Sequence, residues 1–216
     1  MKPLIFVFCT LLFTTSISAQ DEDWELEDWS LDEMISDTRG FSISLDVNGS
    51  SIDLTNTARV GPEGSGGGGG IGITYGFNQL VSLIVDLDGA NVSPNVGTNY
   101  TLGHLDVGIG FNFLQPDQPF RPFVGVALTG RSATFRIRGD SDRFIETTAS
   151  GPALSLIAGL RYFASPSVSI DAQIIGSGGT FNKIDVPVPG GTLTQEIDVD
   201  STTGRVKLGL SWFVGR

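Results

Sequence analysis

The chain is poor in thiol and imidazole groups. Its 216 residues include one cysteine, Cys9, and one histidine, His104. Cys9 lies within residues 1–19, which have the features of an export signal: Lys2 at the start, a short apolar stretch and a small-residue cleavage site at Ala19. Removal of this signal peptide leaves no cysteine, which excludes disulfides and thiol chemistry. We expect no cofactor and no metal site.

The chain also lacks an apolar run of the roughly 20 residues that a transmembrane helix needs. Its net charge is −11, which disfavours nucleic acid as a partner. Much of this charge lies in residues 20–39, an arm with nine acidic residues and one basic residue. The near-helical spacing of Trp24, Leu31 and Ile35 indicates a short docking helix, whereas the acidity favours a solvated leader.

What the chain does have is strict alternation of apolar and polar residues. Because side chains of a strand alternate between its two faces, each alternating stretch predicts a strand with one apolar face. The eight stretches are residues 41–48, 71–77, 81–88, 104–113, 122–129, 154–162, 168–174 and 206–214. Eight such strands predict an all-β fold over residues 40–216, an antiparallel up-and-down barrel.

The apolar face could point inward, as in a soluble barrel, or outward toward lipid. The export signal and the aromatic residues near the ends of several apolar stripes favour lipid, since such residues form girdles at the membrane surface. The predicted girdle comprises Phe41, Tyr75, Phe77, Phe113, Tyr162 and Trp212. We therefore predict a transmembrane β-barrel of the bacterial outer membrane.

The connections between the predicted strands alternate between long and short. The four long ones are residues 49–66, 89–99, 130–150 and 176–201. Outer-membrane barrels have short turns in the periplasm and long loops outside, so we expect both termini on the periplasmic side. We expect a monomer that is surrounded by outer-membrane lipid and lipopolysaccharide. The barrel-assembly machinery is the expected partner during insertion. An extracellular ligand is a further candidate partner.

Three stretches resemble the OmpA-like small outer-membrane barrels, the OmpA/OmpX-type or porin-family proteins. They are Arg121–Gly130, Ala158–Ala172 and the closing strand. The second stretch looks like the sixth and seventh strands of that family, joined by a tight periplasmic turn. The resemblance implies the eight-stranded barrel, and it implies little about activity.

If the apolar faces meet lipid, the charged residues of the strands point into the lumen. The predicted network comprises Asp46, Asp86, His104, Asp106, Arg161, Asp171, Arg205 and Lys207. An eight-stranded barrel has an interior just wide enough for side chains, so we expect these charges to pair with one another. Lys207 is expected to neighbour Asp171 and Asp46. The network either locks the barrel or acts as a gate that exchanges partners.

Three functions fit this architecture. The first is a structural or surface-interaction role through the four long loops, without catalysis. The second is a narrow gated channel for ions or small solutes. The third is a lipid A-modifying enzyme, for which Ser82, His104 and Asp106 are the only candidate trio.

Three short motifs in the predicted loops are weaker indications of function. Gly64–Gly69 fits a phosphate-binding pattern, but no helix is predicted after it, so a flexible loop end is expected. Arg138-Gly-Asp140 matches a receptor-binding tripeptide by its sequence alone. Glu196, Asp198 and Asp200 are expected to form a solvated acidic loop and not a calcium site.

Overall fold

The computed structural model describes residues 36–55, 63–94, 97–113, 118–138, 144–188 and 190–214. The predicted signal peptide and most of the predicted acidic arm lie outside these residues. The described residues form eight strands. They are β1 Gly40–Thr55, β2 Gly64–Gly76, β3 Val81–Pro94, β4 Tyr100–Asn112, β5 Phe120–Arg138, β6 Phe144–Ser165, β7 Val168–Val188 and β8 Gly191–Phe213.

Each strand pairs antiparallel with its neighbours in sequence, and β1 also pairs with β8. The eight strands therefore form a closed up-and-down barrel, which confirms the predicted fold class. The described part of the chain contains no helix long and apolar enough to cross a bilayer.

The apolar side chains lie on the outside of the barrel and the polar side chains inside. Leu128 and Leu156 are 72% and 66% exposed, whereas the inward-facing Arg205 is 1% exposed. This arrangement is the reverse of a soluble barrel, whose core is apolar. The alternation of residues assigned the faces correctly, and lipid is the environment that such an exterior requires.

The strands are much longer than the sequence predicted. Most of the four predicted long loops belongs to strands, because these stretches keep a pleated backbone without an apolar stripe to mark it. Gly64–Gly69 lies in β2, Arg138 ends β5, and Glu196, Asp198 and Asp200 lie in β8. Gly139 and Asp140 of the tripeptide lie outside the described residues.

The two ends of the barrel differ. We call the end at residues 77–80, 118–119 and 166–167 the turn end, and the opposite end the loop end. At the turn end, the Asn78 side chain accepts hydrogen bonds from the backbone N–H groups of Leu80 and Val81, at 2.8 and 2.7 Å. Strands β5 to β8 have 19 to 23 residues and β1 to β4 have 13 to 16, so the sheet of β5 to β8 extends further at the loop end.

The glycine run of β2 is explained by its close approach to β3. A Cβ atom on Gly68 would overlap the carbonyl oxygen of Gly89, whereas the nearest atom to a Cβ on Gly67 is the Asn48 carbonyl oxygen at 3.6 Å. We expect Gly68→Ala to lower the free energy of unfolding by about 1–3 kcal/mol, because the two strands must separate. Gly67→Ala, the matched control, should leave it nearly unchanged in urea unfolding of the refolded protein. Equal effects of the two substitutions would contradict this explanation.

Candidate functional site

One group of charged side chains in the barrel interior is centred on the Lys207 ammonium group. Its Nζ lies 3.0 Å from Asp46 Oδ2, 2.7 Å from Asp86 Oδ1 and 3.5 Å from Asp88 Oδ2. These residues come from β8, β1 and β3, so one cation connects strands that are up to three positions apart in the ring of eight. Lys207 is 2% exposed, and the low dielectric around it strengthens each of these contacts.

Arg205 binds the next pair of carboxylates toward the loop end. Its Nη1 lies 2.6 Å from Asp88 Oδ2 and 2.7 Å from Asp106 Oδ2, and its Nη2 lies 3.2 Å from Asp106 Oδ1. His104 Nδ1 lies 3.1 Å from Asp88 Oδ1. Because an ionised carboxylate only accepts hydrogen bonds, His104 donates from Nδ1. Asp88 therefore links the Arg205 cluster to the Lys207 cluster.

Hydroxyl groups complete the contacts of Asp106. Thr129 Oγ1 donates to Asp106 Oδ1 at 2.5 Å, and Ser155 Oγ lies within hydrogen-bond distance of Thr129 Oγ1. The Oγ atoms of Ser155 and Ser177 are 2.6 Å apart, and Arg205 Nη2 lies 3.3 Å from Ser177 Oγ. The chain of hydroxyls joins β5, β6 and β7 to the carboxylate of β4, so the network includes residues of seven of the eight strands.

Arg161 and Asp171 form a separate pair nearer the turn end. Arg161 Nε lies 2.9 Å from Asp171 Oδ1, and Arg161 Nη2 lies 3.1 Å from Asp171 Oδ2. The prediction that Asp171 neighbours Lys207 is wrong. The Asp171 carboxylate binds Arg161, Ser169 and Ser211, whereas the Lys207 ammonium turns toward Asp46, Asp86 and Asp88. The expected proximity of Lys207 to Asp46 agrees with the 3.0 Å contact.

The turn end of the lumen is closed by the residues that precede β1. Gln79 Oε1 accepts hydrogen bonds from the Thr38 backbone at 3.1 Å and from Arg121 Nη2 at 2.6 Å. Gln79 Nε2 donates to Asp37 Oδ1 at 2.6 Å. Ser36, Thr38 and Arg121 are all buried. Asp37 also binds the exposed Arg39 guanidinium, a contact that raises the pKa of Arg39.

The loop end of the lumen is filled by apolar side chains. Phe181, Leu102 and Val92 are fully buried there. The cluster comprises Ile52, Val92, Tyr100, Leu102, Ala133, Ala149, Phe181 and Val199. Arg131 lies against it, with its guanidinium carbon 5.0 Å from the centre of the Phe181 ring. Between the two closed ends, a cavity of about 20 Å³ lined by Asp86, Asn112 and Arg161 is large enough for one water molecule.

The candidate catalytic trio is not assembled. Ser82 is opposite Gly110 in the register of β3 and β4, whereas His104 is opposite Asp88. The Ser82 hydroxyl lies 3.5 Å from the Gly110 carbonyl oxygen, and His104 binds Asp88 and not Asp106. Ser82 is six positions along β3 from Asp88, the partner of the histidine, so these side chains cannot share a proton.

The six predicted girdle residues all lie at the turn end. Phe41 and Tyr75 have ring centres 4.6 Å apart, and Tyr75 and Phe77 have ring centres 5.2 Å apart. Tyr162 contacts Phe120, a neighbour absent from the prediction, at 4.8 Å. Phe113 and Trp212 are exposed on the same outer surface. The outer belt of aromatic rings therefore marks the turn end.

Sequence reasoning missed five members of the interior network: Asp88, Thr129, Arg131, Ser155 and Ser177. Asp88 shares the polar face of β3 with Asp86, so the alternation already placed it inside. Arg131 and Ser177 fell in predicted loops. Extending the alternation by two residues beyond Thr129 would have placed Arg131 in the lumen.

A closed barrel with an apolar exterior and a paired, charged interior defines a transmembrane β-barrel protein. The family model described as "Outer membrane protein beta-barrel domain" matches residues 7–211, so the chain belongs to this family. The resemblance to small OmpA-like barrels is thereby confirmed, and so is the bacterial outer membrane as location. A search of curated protein sequences gives no match.

Two solved structures illustrate the likeness of fold. Neisserial surface protein A is 18% identical, with 81% of this chain and 97% of that chain covered and a TM-score of 0.59. OprG from Pseudomonas aeruginosa is 12% identical, with 82% of this chain and 97% of that chain covered and a TM-score of 0.52. At these identities, the likeness shows the fold alone.

Proposed function

We propose that this protein is a closed, non-catalytic barrel whose function is structural and whose working surface is the sheet extension at the loop end. The observation that supports this proposal is the packing of buried side chains at both ends of the lumen. The turn end holds the Thr38, Gln79 and Arg121 contacts, and the loop end holds the apolar cluster around Phe181. In such a barrel, the side chains that a partner can contact lie on the outside.

The orientation follows the general pattern of such barrels. Short connections of outer-membrane barrels face the periplasm, so the turn end and both termini are assigned to the periplasmic side. The loop end then faces the medium. Outer-membrane lipid surrounds the apolar exterior, with lipopolysaccharide at the outer leaflet. The barrel-assembly machinery is the partner during insertion, and the inserted barrel is a monomer.

The sheet extension offers a specific docking surface. Strand β8 pairs with β1 only as far as Asp200, so among the described residues Gly191–Val199 pair with β7 alone. The free edge of a strand presents N–H and C=O groups that can pair with an added strand. Glu196 and Asp198 are exposed along this edge. A basic, extended segment of an extracellular partner fits both the edge and the charge.

The test compares three forms of the protein in lipid nanodiscs, using extended peptides that range from strongly basic to strongly acidic. The first variant replaces residues 182–198 by an Asn-Gly turn between Phe181 and Val199, which are opposite each other in the register. The second is the double variant Glu196→Gln, Asp198→Asn. We expect wild type to bind basic peptides, the double variant to bind them about tenfold more weakly, and the shortened variant not to bind. Equal binding by all three forms, or no binding by wild type, would refute the assignment.

A narrow channel is the second candidate, and one observation favours it. Lys207 contacts three carboxylates at 2.7 to 3.5 Å, an arrangement in which the ammonium can exchange partners. If this exchange opens a path, discrete conductance steps should occur in planar bilayers and should change at least severalfold in Lys207→Met. The external variant Lys183→Met serves as control. A silent bilayer with verified insertion of wild type and both variants would eliminate the channel.

A further inference from the structure

Several hydrogen-bond donors in the barrel interior have no acceptor among the described residues. One of them, Asn112 Nδ2, lies near the turn end. Four more lie closer to the loop end: Nε and Nη2 of Arg131, Oγ1 of Thr203 and Nε of Arg205. The three residues are 2%, 0% and 1% exposed. Buried donors without acceptors are rare because each costs about 1–3 kcal/mol. The concentration of four of them in one part of the lumen therefore requires an explanation.

These four donors belong to one region, which lies between the charge network and the apolar cluster. Ser201, Thr203 and Arg205 are successive inward-facing residues of β8. Arg131 reaches across from β5, with Nη1 3.2 Å from the Ser201 carbonyl oxygen. Since alternate residues of a strand share one face, the Thr203 hydroxyl lies between the attachment point of Arg131 and the Arg205 side chain.

In this region Arg205 has carboxylate partners, whereas Arg131 has none among the described residues. Arg205 uses both Nη atoms to bind Asp88 and Asp106. Among the described residues no carboxylate lies within ion-pair distance of Arg131, whose other neighbour is the Phe181 ring. The positive charges of Arg131 and Arg205 repel each other. A buried guanidinium without a counter-ion is strongly destabilising.

We propose that a halide-sized monovalent anion, such as chloride, binds between Arg131, Thr203 and Arg205. It would accept hydrogen bonds from the four unpartnered donors and would screen the repulsion between the two guanidinium groups. A neutral water molecule could accept hydrogen bonds but would leave Arg131 without a counter-ion. The neighbouring carboxylates are not available for this purpose, because Asp88 and Asp106 already accept hydrogen bonds from Arg205, His104 and Thr129. The burial of Arg131, Thr203 and Arg205, which are at most 2% exposed, favours a small anion over a larger one.

The probe is bromide, which has the charge of chloride and is visible by anomalous diffraction. The full chain is refolded in sodium bromide and, separately, in sodium gluconate of equal ionic strength, since gluconate is too large for the site. We expect an anomalous peak within hydrogen-bond distance of Arg131, Thr203 and Arg205. We also expect the bromide-refolded protein to melt about 3 °C or more above the gluconate-refolded protein.

Arg131→Met should abolish both the peak and the difference in melting temperature. Arg136→Met is the matched control on the same strand, because Arg136 is exposed and pairs only with Glu146 at 3.1 Å. This control should retain both effects. If Arg131→Met does not fold, the anomalous map of wild type decides alone. Equal melting in the two salts without a bromide peak overturns the proposal and assigns water to the site.

Discussion

Replacing Arg205 by methionine should lower the free energy of unfolding by about 3–5 kcal/mol. The guanidinium binds Asp88 and Asp106 at 2.6 and 2.7 Å, and none of the three side chains is more than 1% exposed. Methionine keeps most of the volume of the side chain but removes the cation that binds Asp106. It also leaves Asp88 with only its 3.5 Å contact to Lys207 and its hydrogen bond from His104 among the described residues. Urea unfolding of protein refolded into lipid vesicles, followed by tryptophan fluorescence, measures the loss.

Two further variants make this prediction specific to the ion pairs. Arg136→Met removes an exposed guanidinium from β5 and should change the free energy of unfolding by less than about 1 kcal/mol. Adding Asp106→Asn to Arg205→Met should recover part of the stability, because one uncompensated charge is removed. An Arg205→Met protein as stable as the Arg136→Met protein would contradict a stabilising role for the network.

The second large effect is expected from Phe181→Ala. Phe181 is fully buried in the apolar cluster at the loop end and contacts the Arg131 guanidinium. Removing the ring leaves a cavity, which costs about 3–5 kcal/mol in a packed core. It also removes part of the apolar cluster that fills the loop end of the lumen, so ion flux from vesicles should rise above the wild-type level.

Leu193→Ala is the control for Phe181→Ala. Leu193 is a large apolar residue of the same β7–β8 hairpin, but it is 58% exposed. Its loss should change stability by no more than about 0.5 kcal/mol, the usual range for surface substitutions. If Phe181→Ala were as stable and as tight as Leu193→Ala, the apolar cluster would not be the seal of the lumen.

The sequence was sufficient to predict the number of strands and the face on which each residue lies. A period of two is a local property, so Leu105 and Asp106 reveal their opposite orientations without reference to other strands. Strand length was harder to predict, because beyond the lipid both faces can be polar. The Gly64–Gly70 run and Thr192–Asp198 carry no apolar stripe, yet both belong to strands.

The pairing within the lumen could be predicted only in part. Which inward residues meet depends on the register of neighbouring strands and on the reach of long side chains across the lumen. Lys207 lies opposite Asn48 on β1, but its ammonium contacts Asp46, one inward position away. The prediction had Lys207 beside Asp171, but the residue opposite Asp171 in the register of β6 and β7 is Arg161. Neither fact has a local signal in the sequence.

The closure of the barrel by β1 and β8 also has a consequence for folding kinetics. The contacts of Lys207 with Asp86 and of Arg205 with Asp88 join residues 121 and 117 positions apart in the chain. Such distant contacts form late, because long loops must close before they are made. The ionic network cannot guide the early steps of folding, in which only neighbouring hairpins can pair. Its formation accompanies the final joining of the first and last strands, so it acts as a latch that slows unfolding of the finished barrel.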